Sequence, residues 1–157
     1  MALYSGSPYI DDNVNIRAPD AVDIFKLVPA ADIAEEVKSL AWAEHTAHVH
    51  FFSIYEGRTL VGQIYLHDID AQSGDALIGY HLFQPHYRGR GIGARALGLL
   101  QAYVVKETAI KRLIIITGRD NGASRGIAAK RGFEYIGGAR EDPENLVVYA
   151  WSTAVNR

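Results

Sequence analysis

Residues 86 to 97, "HYRGRGIGARAL", place glycines at 89, 91 and 93 among Arg88, Arg90 and Arg95, and the chain then turns apolar. Glycine lets the backbone turn sharply and lets a ligand reach main-chain amides without meeting a Cβ. A helix that starts there aims unpaired N–H groups and the positive end of its dipole forward, which suits an anion. Arg88 and Arg90 add fork-shaped donors that match phosphate oxygens. The chemistry open to such a stretch is to hold a diphosphate; its plainer use is a strand-to-helix turn with solvated arginines.

Two familiar phosphate loops do not fit. Gly91, Gly93 and Ala96 spell the dinucleotide pattern G-x-G-x-x-A, but in that fold the first glycine ends a strand within a parallel β-α-β unit. Here Gln84-Pro85-His86-Tyr87-Arg88 intervenes and the upstream strands read as antiparallel hairpins. A Walker loop fails because no Lys-Ser or Lys-Thr follows the glycines.

Among titratable groups, His81 stands out. In the strand expected over 76–83, alternation puts Asp75, Leu77, Gly79, His81 and Phe83 on one face. An imidazole titrates near about 6.5, suited to moving protons; a strand histidine with a satisfied hydrogen bond is the structural alternative. His45-x-x-His48-x-His50 would set His48 and His50 on one strand face, within reach of a metal given a third ligand. Without cysteines or a paired carboxylate at ligand spacing, no metal is expected, and the cluster lines an acceptor side or faces solvent. Arg119 and Arg125 in "RDNGASR" would suit nucleic acid, but the net charge of −2 argues against that partner and against anionic membranes.

The elements that position these groups follow from periodicity. The 157 residues are one domain's worth of chain, 48% hydrophobic and 22% charged. With no cysteine, disulfides and thiolate chemistry are excluded. No apolar run reaches the roughly 20 residues of a membrane span, and no secretory signal opens the chain, so a cytoplasmic location is expected. Residues 1–20 read as an N-terminal arm with one short extended piece, and 21–157 as a single domain. A strand is expected over 21–28 and a helix from Asp32 to Ala43. A hairpin turning at Glu56-Gly57-Arg58 follows, then the strand over 76–83. Ile92, Leu97, Leu100 and Val104 predict a helix to about Thr108. "RLIIIT", 112–117, predicts a strand buried on both faces. A short helix capped by Asn121 and closed by Gly132 precedes two final strands. The order β-α-β-β-β-α-β-α-β-β is α+β, a mixed, mostly antiparallel sheet flanked by helices.

"LFQPHYRGRGIGARAL" resembles the acetyl-CoA signature of the GNAT superfamily of N-acetyltransferases: a strand, a proline, and a glycine turn opening a helix. Arg88, Gly91 and Gly93 fill its fixed positions. "NGASRGIAAKRGFEYIGG" resembles the family's later block through Asn121, Ser124, Lys130, Gly132 and Phe133, and "LVPAADIAEE" resembles its opening passage. The likeness runs from about 21 to 152 and in form is similar to the ribosomal-protein N-terminal acetyltransferases. It implies direct transfer from acetyl-CoA to a small-molecule or peptide amine, in a family whose members often form homodimers. It implies that turn amides from Arg88 through Gly89, Arg90, Gly91, Ile92 and Gly93 to Ala94 hold the pyrophosphate, and that the preceding strand splays from its neighbour and pairs with the pantetheine arm. The Phe83 amide would face the thioester carbonyl, a donor worth about 3 kcal/mol in the transition state. Asn121 would contact the pantetheine or the reacting centre, with Ser124 beside it.

The family's usual acid is a tyrosine seven residues after the motif asparagine; here that position is Ala128. Tyr87 and Tyr135 have no spacing that supports a substitution. His81 and Glu44 are the candidate bases, with a water chain to either as a third route. Deprotonating a lysine-like amine at pH 7 costs about 4–5 kcal/mol and an α-amine about 1, which leans toward an α-amine. Asp68, Asp70, Asp75 and Glu44 are the acids that a polyamine acceptor would need. Two other readings compete: a CoA-binding module without turnover, and dinucleotide redox chemistry, which the strand order opposes.

Overall fold

The computed structural model describes residues 2–4, 6–18 and 49–154. Among them nine strands form one sheet: β1 (Ala2–Leu3), β2 (Tyr9–Asp11), β3 (Val14–Arg17), β4 (His50–Glu56), β5 (Thr59–His67), β6 (Asp75–Leu82), β7 (Arg112–Gly118), β8 (Glu134–Gly138) and β9 (Leu146–Ser152). Helix α1 (Ile92–Glu107) follows β6, and α2 (Gly122–Lys130) follows β7. The sheet runs β2-β3-β4-β5-β6-β7-β9-β8, with β1 beside β4. Among the described strands only β1–β4 and β6–β7 pair in parallel, so the fold is the mixed, mostly antiparallel α+β arrangement that the sequence predicts. The strand expected over 21–28, the helix over 32–43, Glu44, His45 and His48 lie outside the described residues.

One face of the sheet carries both helices. Phe52, Ile54, Ile64, Leu66 and Leu113 form a common core with Leu97, Leu100 and Val104 of α1 and Ala128 of α2. Each large aliphatic side chain buried there contributes about 1.5–3 kcal/mol. Arg131 ties the helices together: its Nε donates to the Ala94 carbonyl at 2.5 Å, and its guanidinium lies in the space left by the missing Cβ of Gly98. On the other face, strand alternation lines up Arg17, Ser53, Gln63 and His81 across four strands.

Two expectations need correction. The opening residues are not a loose arm, because residues 2–17 hold three strands of the sheet. Asp12, at φ 55°, lets β2 fold back on β3, so Val14 and Ile16 become fully buried. Tyr4 and Tyr9 then pack on Tyr103, and both phenols donate to Glu107 at the end of α1. The second concerns β7, which is not buried on both faces: Leu113, Ile115 and Thr117 are buried under the helices, whereas Ile116 on the opposite face is 38% exposed. Both described helices that follow β6 and β7 share a single face of the sheet, so an unbroken apolar run does not here mean two-sided burial.

Candidate functional site

The feature that organises the site is an incomplete pairing. Strands β6 and β7 are in register at Asp75/Arg112, Ala76/Leu113 and Leu77/Ile114, and nowhere beyond. Residues 78–82 and 115–118 then continue apart, so β6 has a free edge facing the gap. Which residues present it follows from the β5 side. The Phe83 amide donates to the Val61 carbonyl at 2.9 Å, so Phe83 faces β5. Successive residues alternate the edge to which their N–H and C=O point, which turns Ile78, Tyr80 and Leu82 toward the gap. The expected role of the Phe83 amide is thereby corrected: its proton is engaged in the sheet, its side chain is 1% exposed, and the amides aimed into the gap are those of Ile78, Tyr80 and Leu82.

The gap leads to the glycine turn. After Phe83 and the extended Gln84, Pro85–Tyr87 make one 3-10 turn, with the Arg88 amide donating to the Pro85 carbonyl at 3.0 Å. Gly89 and Gly91 follow with φ of 74° and 81°. Nothing lies within 4 Å of where either Cβ would stand, so both are required by backbone conformation, at about 1–2 kcal/mol each for another residue. Gly91 caps α1, and the Arg95 amide closes on the Gly91 carbonyl at 3.1 Å. The amides of Ile92, Gly93 and Ala94 therefore precede the helical ladder and stay available, with no acidic side chain in the first turn. Gly93 has a different reason: a Cβ there would come 3.2 Å from Ile127 Cδ1 and 3.7 Å from the Tyr80 ring.

Of the two arginines expected to reach phosphate, Arg88 is exposed, while Arg90 donates to both Glu56 oxygens at 3.0 Å. The Arg90 side chain thus fastens the turn to the end of β4.

The two flanks of the gap differ. On the helix side, the Tyr80 hydroxyl donates to Ser124 Oγ at 3.3 Å. Burial pushes this phenol up, against the smaller pull of the Ser124 bond. Asn121 Oδ1 accepts from the Ser124 amide at 3.0 Å, the expected helix cap, so this oxygen is occupied by α2. Ala128 is fully buried in the core. On the opposite side, His81 Nε2 lies 3.4 Å from the Tyr65 hydroxyl. The Tyr65 ring crosses β6 directly over Gly79, where a Cβ would fall 2.2 Å from Cζ. Next to His81 in the same row, Gln63 is 1% exposed, and its Nε2 and the Ser53 Oγ are buried without a hydrogen-bond partner among the described residues.

Several candidates fall elsewhere. His50 points to the helix side, with Nδ1 3.0 Å from the Tyr103 hydroxyl, at the end of β4 away from Glu56. Among the described residues no cluster of three metal-binding side chains occurs. Tyr87 packs on His86, and Tyr135, in the edge strand β8, packs on Tyr149 of β9. Tyr80, Tyr65 and Gln63 were not singled out from the sequence. A glycine inside the strand pattern at 79 signals a close approach, and alternation from His81 gives the side of Tyr80.

A model of the acetyltransferase (GNAT) domain matches residues 11–134. No curated protein sequence matches the chain significantly. Among solved structures, a ribosomal L7/L12 α-N-protein acetyltransferase in complex with coenzyme A is similar at a TM-score of 0.73 and 17% identity, covering 93% of this chain and 98% of that one. A ribosomal-protein-S5-alanine acetyltransferase from Vibrio fischeri gives 0.73 at 14% identity, over 94% and 97%. A microcin C7 self-immunity acetyltransferase in complex with acetyl-CoA and AMP gives 0.67 at 18%, over 90% and 93%.

Proposed function

The chain belongs to the GNAT family of acetyl-CoA-dependent N-acetyltransferases, and from that premise we propose that it passes the acetyl group by direct attack to an α-amine of a peptide or small molecule. The observation that carries this reading is the β6–β7 gap opening onto the glycine turn. A substrate with a diphosphate at one end and an amide-bearing arm fits the two features together. The Ile92, Gly93 and Ala94 amides suit the diphosphate, the edge of Ile78, Tyr80 and Leu82 suits the arm as an added strand, and the Tyr80 or Leu82 amide takes the thioester oxygen. On the flank opposite the helices, His81 is the base for the incoming amine, with Glu44 its competitor.

The acids argue against a polycationic acceptor. Asp75 is held by Arg112 at 2.8 and 3.0 Å, Asp70 accepts from the Gln72 amide at 2.8 Å, and Asp68 meets His67 at 2.7 Å. An α-amine needs only about 1 kcal/mol of deprotonation at pH 7, within what one histidine supplies. Two of the similar structures are an α-N-protein acetyltransferase and an alanine acetyltransferase, which supports the same class. The buried Ala128 favours a second reading, a CoA-binding module without turnover.

Thermal unfolding with acetyl-CoA, CoA and NAD tests the first step. At 100 times the dissociation constant a ligand adds about 2.7 kcal/mol, a rise of about 5–10 °C for this size. A rise with both CoA species and none with NAD is expected; no rise with either overturns the reading. CoA release with peptides carrying free N-terminal serine or alanine then separates an enzyme from a silent module.

A further inference from the structure

Acetyl transfer needs a proton for the departing sulfur, and the residue at the family's tyrosine position is an alanine sealed in the core. We propose that Tyr80 supplies that proton, from strand β6 rather than from helix α2, with Ser124 holding its hydroxyl. The assignment rests on the acetyltransferase reading above and adds a residue to it.

Geometry carries the argument. Tyr80 is a residue whose main chain faces the gap, because Phe83 is turned to β5 by its bond to Val61. Its side chain leaves toward the helix side, where the ring passes Gly93 in the first turn of α1 and the hydroxyl reaches Ser124 in the first turn of α2. The phenol thus spans the two helix starts that border the gap. The sulfur is one bond from the carbonyl carbon whose oxygen the Tyr80 or Leu82 amide takes, so the donor leaves from the same strand edge that binds that oxygen. Its neighbour His81 points to the opposite face. Two consecutive residues therefore put an acid and a base on opposite sides of one thioester, which a single face could not do.

The other phenols are placed differently: Tyr65 is across the sheet with His81, and Tyr87 and Tyr135 pack on other rings. Burial pushes the Tyr80 phenol up, so it holds its proton at neutral pH. The same partial dryness makes a nascent thiolate more basic than in water.

The step balances as follows. The amine lone pair forms the N–C bond, and the carbonyl π pair moves to oxygen. That pair returns as the C–S bond breaks, and the sulfur takes its bonding electrons and the Tyr80 proton. The Ser124 hydroxyl turns to donate to the phenolate, which regains a proton from water, and His81 passes the amine's proton to water. The products are an amide and the CoA thiol.

The test compares wild type, Tyr80→Phe and Ser124→Ala for CoA release with peptides bearing free N-terminal serine or alanine. Tyr80→Phe is expected to lower kcat about 100-fold, with KM for acetyl-CoA and the acetyl-CoA thermal shift retained. Ser124→Ala is expected to lower kcat about 10-fold. If Tyr80→Phe turns over within twofold of wild type, if Ser124→Ala is the more damaging, or if Tyr80→Phe loses the thermal shift along with kcat, the assignment is overturned. In each case wild-type turnover leaves the acetyltransferase reading standing, whereas no wild-type release overturns both.

Discussion

At one end of the β6–β7 pair, polar clamps close the strands; at the other, the same strands stand apart. Arg112 donates twice to Asp75, at 3.0 and 2.8 Å, and the Gly74 carbonyl accepts from the Lys111 and Arg112 amides at 2.7 and 3.1 Å. Thr153, fully buried, donates from Oγ1 to the Ile110 carbonyl at 2.9 Å. Beyond Leu77 and Ile114 there is no ladder pairing. There Gly93, at the start of α1, lies against Ile127 in the second turn of α2, and Tyr80 reaches across to Ser124. The difference teaches that an open edge inside a sheet needs a fixed end. A register held at Asp75/Arg112 leaves the 78–82 edge open while β5 still holds the other edge of the strand.

The largest effect is expected at the open end. Gly91→Val puts a β-branched residue at φ 81° and a side chain beside the amides of Ile92 and Gly93. Acetyl-CoA affinity should fall about 100-fold, equivalent to about 2.7 kcal/mol, while strain lowers stability by about 1–2 kcal/mol. Titration calorimetry and urea unfolding measure the two separately. Retained affinity would mean that the turn amides do not face the ligand.

At the closed end the effect should be smaller and of a different kind. Asp75→Asn removes the bidentate partner of Arg112, whose side chain is 52% exposed. Solvent screening limits the loss to about 0.5–1 kcal/mol, read as a lower urea midpoint. Acetyl-CoA binding should change less than twofold, because Leu77/Ile114 still closes the gap's base. A loss of binding as large as that of Gly91→Val would show that the two ends are not separable.

What the sequence made legible and what it hid divide along the same line. Turn chemistry and local period mark the glycine turn, the Asn121 cap and the elements from β4 to β9, because each depends on residues close in the chain. Long-range pairing was hidden. The Phe83 amide is captured by Val61 of β5, and only the β5 register decides which residues of β6 face the gap. Arg90 reads as a phosphate donor until Glu56 is found beside it across 34 positions. Ile116 looks buried in "RLIIIT" because the run is apolar, and only the placement of α2 on the other face reveals otherwise.

The smallest effect sharpens the comparison through pH. His50 lies outside the gap, half-buried against Tyr103, and burial lowers its pKa. Among the described residues, Tyr103 and Glu107 of α1, Tyr4 just after β1 and Tyr9 of β2 form the surrounding cluster. A lowered folded-state pKa means that the unfolded chain takes up the proton first as pH falls. The stabilising contribution is therefore complete above about pH 6.5 and is lost as the pH falls through the lower, folded value. The urea midpoint of wild type should drop from about pH 7.5 to about pH 5.5, and His50→Gln should flatten that drop. The thermal shift from acetyl-CoA should be the same in His50→Gln and wild type at either pH, since His50 stands at the end of β4 away from Glu56 and the glycine turn. A shift that falls in step with His50 protonation would couple this cluster to the gap, and the fixed and open parts of the sheet would then be one unit.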